Sequence, residues 1–439
     1  MKRPSETWFR PLALAAFLCL PTAFGCATNA GPALPETVAG YAGFESPVSP
    51  YRALETLPSG TILHVPSGTE MSQTQMLDVL ADSRVVYVGE THTNLEDHAV
   101  QLAVIRGLNE RHPDGIMIGL EMFAHPVQKD LDRWVSGELS EHEFLKVWLN
   151  SWSEDFGYYR DILMYARAHQ IPLIALNATR EEIRAVSRGE AHSEADWEAA
   201  GWDGTDPYHR AYLDAIFGGH GQGGGDRFYS VQLLWDETMA ASAHAALTRD
   251  DLKHRRLVVL AGGGHVQYGF GIPRRLFSRM PVSYSTVIPI TVDMPDDRAD
   301  LLMDVDVPEF PLPIADFVWS VDYRDLRDRK VVLGIRFDLS HTDGVWIQAV
   351  SPGSAAADAG VAAGDHLVSV DGIAMRETVD VKAALAQVAL GEHGTLVVER
   401  EGVRHTLPVV YRTYTPPEEA GGARQQSMPI DHPMPQGHP

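Results

Sequence analysis

Two histidines each stand three residues after a glycine, in Gly89-Glu90-Thr91-His92 and in Gly262-Gly263-Gly264-His265. A third run, Gly119-Leu120-Glu121, ends in a carboxylate. Two imidazoles and two carboxylates suit either a divalent metal or acid–base work without one. All three runs follow short, buried-type apolar stretches, and ligands of open α/β sheets gather at the carboxyl ends of strands. The spacing therefore predicts that Glu90, His92, Glu121 and His265 converge. Buried ionisable groups need partners and cluster at sites, which favours a shared site over separate loop caps. His98 lies beside Glu96 and Asp97 on an expected helix, as a further member of the site or as an ordinary helix residue. Asn177 and Arg180 line the same cleft or serve as a loop cap and a surface ion pair. Gln232 and Asp236 are one helical turn apart and face the cleft or solvent. Tyr268 follows the second motif closely, and Tyr158, Tyr159 and Tyr229 are also available. His220, in a run of glycines, reads as a mobile loop residue.

The elements that must carry these residues are legible from their patterns. Strands are expected at Arg84–Gly89, Gly115–Glu121, Ile171–Leu176 and Arg256–Ala261, with another over residues 281–292. Each of the first four is a short β-branched or apolar run, as in buried parallel strands. Helices are expected over Asp97–Arg111, His125–Lys146, Tyr158–His169 and Tyr229–Leu247. This alternation argues for an α/β fold over residues 56–292, with a mainly parallel sheet, helices on both faces and a helical subdomain. Residues 293–330 are rich in Asp and Pro and read as a linker.

The N-terminus reads as an address. Lys2, Arg3 and Arg10 precede an apolar run from Leu12 to Leu20, too short to span a bilayer as a mature helix. Ala23-Phe24-Gly25-Cys26 then resembles a lipobox, although Ala23 stands where leucine is more usual. The chain has two cysteines, Cys19 and Cys26, and both lie here. That leaves Cys26 for lipid attachment and no thiol or disulfide in the mature body. The expected order is a lipoprotein signal peptide over residues 1–26 and a flexible tether over 27–55. The location expected is the cell envelope, lipid-anchored, with the outer membrane facing the periplasm. The formal net charge of -23 argues against nucleic-acid binding, because an acidic surface repels phosphate.

Residues 331–412 read as a second, β-rich unit, and the tail from 413 to 439 as disordered. Gly344–Val350 and His366–Val370 are expected strands. Ala355–Ala359 is a short helix before Gly360, and Asp380–Val388 a second helix. Thr395–Arg400 and Val403–Val409 form a hairpin. The run SPGSAAADAGVAAGDHLVSVDG (351–372) closely resembles the PDZ domains of bacterial periplasmic proteases. The resemblance implies that a loop before a strand receives a peptide carboxylate. Its matching residues are Leu333, Gly334 and Ile335, with Phe337 further along. No glycine-flanked serine nucleophile of the kind found in those proteases is present.

Residues 75 to 292 resemble the ChaN-like haem-uptake proteins of the Tiki/TraB superfamily. The resemblance rests on VGETHTNLEDHAVQ (88–101), GLEMF (119–123), the aromatic stretch around Trp148–Tyr159, IPLIALNA (171–178), Gln232 with WDETMA (235–240), and AGGGHVQYGFGIPRRL (261–276). It implies an envelope lipoprotein that binds haem or iron, with His92, His98, Glu121 and His265 at the haem or metal site. The alternative implied by the same superfamily is a metal-dependent hydrolase or protease of the Tiki type. There His92, His265 and Glu121 hold a divalent metal and Glu90 activates water. Haem needs an apolar slot and a ligand such as His or Tyr.

Overall fold

The computed structural model describes residues 51, 53–54, 56–189, 206–217, 225–301, 308, 310–326 and 330–413. The expectations for the signal peptide, Cys26, all but a few residues of the tether, His220 and the tail from 414 lie outside the described residues.

An eight-stranded sheet forms the larger domain. In chain order its elements are β1 (Ile62–His64), β2 (Thr69–Met71), α1 (Gln73–Ala81), β3 (Val85–Val88), α2 (Leu95–Arg111), β4 (Ile116–Ala124), α3 (Gln128–Val135), α4 (Glu141–Ser151), α5 (Phe156–Ala168) and β5 (Leu173–Asn177). Then come α6 (Arg180–Ser187), α7 (Pro207–Phe217), α8 (Gly225–Thr248), β6 (Arg256–Leu260), α9 (Ile272–Arg279), β7 (Tyr284–Asp293) and β8 (Phe317–Asp322). The strand order is β2-β1-β8-β7-β3-β6-β4-β5. The five pairings from β8 to β5 are parallel, and β1 pairs antiparallel with both β8 and β2.

The central strands are apolar along their whole length because both faces are covered. Val86 and Val88 of β3 pack with α2, α4 and α5 on one face. Val85 and Tyr87 pack with α8 and α9 on the other. Strand alternation sends successive side chains to opposite layers, and each fully buried Val or Leu stabilises by about 1.5–3 kcal/mol. Helix α2 begins two residues earlier than the apolar pattern suggests. The Asn94 side chain accepts the Glu96 N–H at 3.1 Å and so caps it.

The expected linker over 293–330 is corrected by β8. Phe317–Asp322 lies inside the sheet between β7 and β1, with Val318 fully buried. Its six-residue run follows an Asp- and Pro-rich stretch and precedes a charged one, so composition hides it. Beyond β8 the chain stays attached: Leu95 N–H donates to Arg324 O at 2.7 Å, and Leu326 N–H to Tyr158 Oη at 2.9 Å.

The smaller domain has a six-stranded antiparallel sheet and its own core around Val345, Ile347, Leu367, Val398 and Tyr411. Its elements are β9 (Ile335–Phe337), β10 (Val345–Val350), α10 (Ala355–Ala359), β11 (His366–Val370), β12 (Ile373–Ala374), α11 (Thr378–Leu385), β13 (His393–Arg400) and β14 (Val403–Val410). The order β14-β13-β11-β10-β9 leaves β9 at the edge. Helix α11 rests on α4 of the larger domain, where Lys146 Nζ meets Asp380 Oδ1 at 2.8 Å. No helix among the described residues is long and apolar enough to cross a membrane.

Candidate functional site

The two histidine motifs touch through their backbones. Gly263 N–H donates to Glu90 O at 2.9 Å, and a Cβ added at Gly89 would come within 3.4 Å of Gly263 Cα. The tightest constraint is at Gly89, where an added Cβ would also meet Ile288 Cδ1 at 2.5 Å. A Cβ added at Gly262 would lie 3.4 Å from His92 Nε2 and 3.7 Å from Glu121 Oε2, so these side chains meet over the same glycine. The convergence of three strand ends predicted from the sequence is what the parallel sheet delivers.

In the first half of the cleft, His92 Nδ1 lies 2.7 Å from Glu90 Oε1, and Tyr159 Oη donates to the same oxygen at 2.6 Å. His98 Nδ1 is 2.9 Å from Glu90 Oε2, and its Nε2 is 3.0 Å from His92 O. Both partners of His98 are acceptors, so both of its nitrogens carry protons. Burial works against that charge, but Glu90 overrides it and raises the imidazole pKa. Burial alone would likewise lift the Glu90 carboxyl, yet His98 and His92 hold it down at about 2. Trp152 stands edge-on to His92 with ring centres 5.0 Å apart.

The second half is built differently. His265 Nδ1 is 2.6 Å from Asp236 Oδ1, and its Nε2 is 3.2 Å from Glu121 Oε1. Gln232 Nε2 lies 2.8 Å from Nδ1. Burial opposes an imidazolium here, but the two carboxylates lift the pKa to about 10. Glu121 also accepts the Gly262 N–H at 2.6 Å through Oε2. Asn177 Nδ2 donates to Glu121 O at 3.0 Å and so fixes the backbone that carries the carboxylate.

Of the residues singled out from the sequence, Glu90, His92, His98, Glu121, Asn177, Gln232, Asp236 and His265 come together. Arg180 does not: it is exposed in the first turn of α6, because Thr179 caps that helix and turns the side chain outward. Tyr268 takes a left-handed backbone (φ 56°) and packs on Phe270, Phe310 and Tyr212 instead of on His265. Among the described residues no three of His, Cys, Asp and Glu are arranged to hold a metal ion. The physical reason is visible in the pairing: His98 and His265 each place both nitrogens on protein acceptors.

Sequence reasoning passed over Asp97, Gln101 and His209. Asp97 accepts the Thr91 N–H at 2.6 Å and Asn94 Nδ2 at 2.9 Å, and burial pushes its carboxyl up to about 7. Gln101 Oε1 lies 3.0 Å from His98 Nδ1. A signal existed: Asn94, Asp97, His98 and Gln101 follow the i, i+3, i+4, i+7 spacing of a core-facing stripe, but in polar residues.

In the smaller domain Leu333 is buried and Gly334 has φ +73°, in the left-handed region. A Cβ there would meet Ser354 Cβ at 2.3 Å, so glycine is required twice over. Ala356 N–H donates to Leu333 O at 3.0 Å and Ser351 N–H to Gly334 O at 2.8 Å, which fixes the loop. Ile335 and Phe337 are half-buried on the edge strand β9.

Comparison with known proteins agrees with this division. Residues 76–276 match the family model of haem-binding uptake, Tiki superfamily, ChaN. Residues 346–400 match that of the PDZ domain. A structure of ChaN of Campylobacter jejuni, described as showing cofacial haem binding, is similar at 18% identity and a TM-score of 0.46, over 59% of this chain and 95% of that one. The HtrA-type protease AlgW with a decapeptide is similar at 21% identity and a TM-score of 0.19, over 21% of this chain and 32% of that one. Erythromycin esterase EreC is similar at 16% identity and a TM-score of 0.33, over 50% and 73%. No curated protein sequence matches. The chain thus carries a ChaN-like domain of the haem-binding uptake family, in the Tiki superfamily, over residues 76–276, followed by a PDZ domain matched over residues 346–400.

Proposed function

We propose that the protein is a lipid-anchored envelope protein whose ChaN-like domain binds haem and whose PDZ domain binds the free C-termini of peptides. The observation that carries the haem reading is the His92–Glu90 pair. A carboxylate at 2.7 Å fixes Nδ1 and turns the Nε2 edge toward Gly262, where the three strand ends meet. A ligating histidine is oriented in this way by its outer partner. Trp152 and Tyr159 supply flat apolar surface beside it. The donor set fits haem iron, with His92 as the residue that would hold it. Bound haem would supply an iron centre for capture and transfer. Covalent attachment is disfavoured because both cysteines lie in the N-terminal segment. The experiment is a ferric haem titration of the purified protein, followed in the Soret region. Saturable binding that His92→Ala weakens supports the reading; no binding by the wild type ends it.

The PDZ part of the proposal rests on the edge strand β9 and the Leu333–Ile335 loop. A peptide adds there as a further strand and places its carboxylate on the loop's N–H groups. Peptides with an apolar C-terminus should bind as free acids and weakly as amides. Equal binding of both would exclude this mode. The anchor rests on Cys26: Cys26→Ala should move the protein from membranes to the soluble envelope fraction. A variant that stays on membranes after a high-salt wash would refute it.

A further inference from the structure

The stretch from His142 in α4 to Tyr159 in α5 touches both the smaller domain and the cleft. On its outer side Lys146 Nζ meets Asp380 Oδ1 at 2.8 Å, and Gln387 Nε2 lies 3.2 Å from His142 Nδ1. Asp380 also accepts the Arg376 and Glu377 N–H groups through Oδ2, at 2.9 Å each, so Lys146 grips the carboxylate that caps α11. Lys330 Nζ lies 3.5 Å from Asp155 Oδ2, and Tyr158 Oη accepts the Leu326 N–H at 2.9 Å. A Cβ added at Gly157 would come within 2.8 Å of Leu326 Cδ1, so the segment leading to the smaller domain rests directly on α5. On its inner side the same stretch builds a wall of the cleft. Trp152 stands edge-on to His92, and Tyr159, which holds Glu90, packs on Trp148 with ring centres 4.9 Å apart. Trp148 Nε1 donates to Glu154 O at 2.8 Å and ties α4 to the start of α5. Tyr158 and Tyr159 are neighbours, yet one holds the segment between domains and the other the carboxylate beside His92.

Helix α11 is two-sided as well. Asp380 and, just past the helix end, Gln387 face α4, while Val381, Ala384 and Leu385 share one apolar core with Ile335 and Phe337 of the edge strand β9. A peptide paired to β9 lays apolar side chains on Ile335 and Phe337, and so against the core that seats α11. The contacts of α11 with α4 are polar and partly exposed to water. Domain contacts of that kind permit relative motion, unlike large apolar ones. We propose that docking of the smaller domain on α4 and α5 couples two binding events, so that a peptide C-terminus on β9 and the ligand of the cleft strengthen each other's binding. This rests on the haem and peptide readings above and adds the link between them. A peptide on β9 immobilises α11 and the face it presents to α4. A ligand in the cleft immobilises Trp152 and Tyr159, and with them the surface on which α11 docks. Each event therefore orders what the other needs ordered, which gives positive cooperativity. By linkage the factor is the same in both directions.

The test uses the full-length protein, ferric haem, and an alanine-rich decapeptide ending in valine as the free acid, with its amide as control. Haem affinity should rise about fivefold or more at saturating free acid, and peptide affinity by the same factor at saturating haem. The amide should do neither. Amide hydrogen exchange reads the coupling without haem: the free acid alone should slow exchange over residues 142–159. The double variant Lys146→Met with Gln387→Leu leaves both binding surfaces untouched. It should bring the haem–peptide factor to about one and abolish the protection of 142–159 by the peptide. Lys146→Met alone takes its place if the double variant does not fold. Independent affinities in a wild type that binds both ligands, with exchange over 142–159 unchanged by peptide, would overturn the coupling and leave both binding readings standing. A factor that survives in the variant overturns the route through α4. If the wild type takes no haem, the haem reading fails and exchange over 142–159 still decides the coupling. If it takes no peptide, the peptide reading fails, and haem must slow exchange over residues 378–388 or the coupling falls with it.

Discussion

Around His92 one carboxylate serves two imidazoles; around His265 two carboxylates serve one imidazole. The two motifs share a spacing and a place at the ends of neighbouring parallel strands, yet their electrostatics are opposed. With imidazoles in excess, the Glu90 carboxyl is locked in its ionised form and held near 2. With carboxylates in excess, the imidazole is locked in its protonated form near 10. The count of partners, set by helices far away in sequence, decides which group in each half has a fixed charge. His98 from α2 makes the first half rich in imidazole, and Asp236 from α8 makes the second rich in carboxylate.

The comparison breaks most sharply at His265. His265→Ala leaves Glu121 and Asp236 buried without their shared cation, and removing one partner of a buried ion pair costs about 3–5 kcal/mol. Urea unfolding should show that loss; a variant as stable as the wild type would mean that water or neighbours already screen the two carboxylates. The equivalent change on the other side should be milder. In His92→Ala, Glu90 keeps His98 and Tyr159, so the loss should be about 1–3 kcal/mol, while haem affinity falls about 10- to 100-fold. Equal destabilisation by the two substitutions would erase the distinction between the halves.

The pH dependence sharpens the same contrast. The His265 pKa is raised from 6.5 to about 10, so its stabilisation is fully present below pH 6.5 and is lost as pH rises through 10. The Glu90 pKa is lowered from 4.5 to about 2, so its share is present above pH 4.5 and is lost as pH falls toward 2. Asp97, raised to about 7, favours the protonated form and weakens folding progressively between pH 3.8 and 7. In His265→Gln the decline above pH 6.5 should flatten while the acid limb remains, measured as the urea midpoint against pH. An unaltered alkaline limb would place that titration elsewhere. The smallest effect belongs to Arg180→Ala, which should leave stability and haem binding unchanged, since the side chain is exposed on α6. A measurable loss of binding there would return Arg180 to the cleft.

Much of this was readable in the sequence, for physical reasons that differ from element to element. The strands that carry the motifs are continuous apolar runs, because a parallel sheet covered on both faces leaves no polar position. Helix α10 and strand β11 fall where their turn residues put them, between Ser354 and Gly360 and after Gly364-Asp365. Strand β8 was hidden, since six residues of alternating character inside an acidic, proline-rich stretch carry little periodic signal. Asp97, Gln101 and His209 were hidden for another reason. Polar residues on a helix normally mark its solvent face, and only the packing of α2 and α7 shows that these point inward.

The sequence by itself determined which strands end in glycine and histidine, that these ends share one side of a sheet, and that a separate β-rich unit follows. Those follow from local periodicity and from glycine's tolerance of close backbone approach. Which imidazole is charged and which nitrogen is turned toward the cleft were decided only by the tertiary structure. Each of these depends on carboxylates and carbonyls brought from α2, α8 and β4 to within about 3 Å, the range over which buried charges fix one another's protonation.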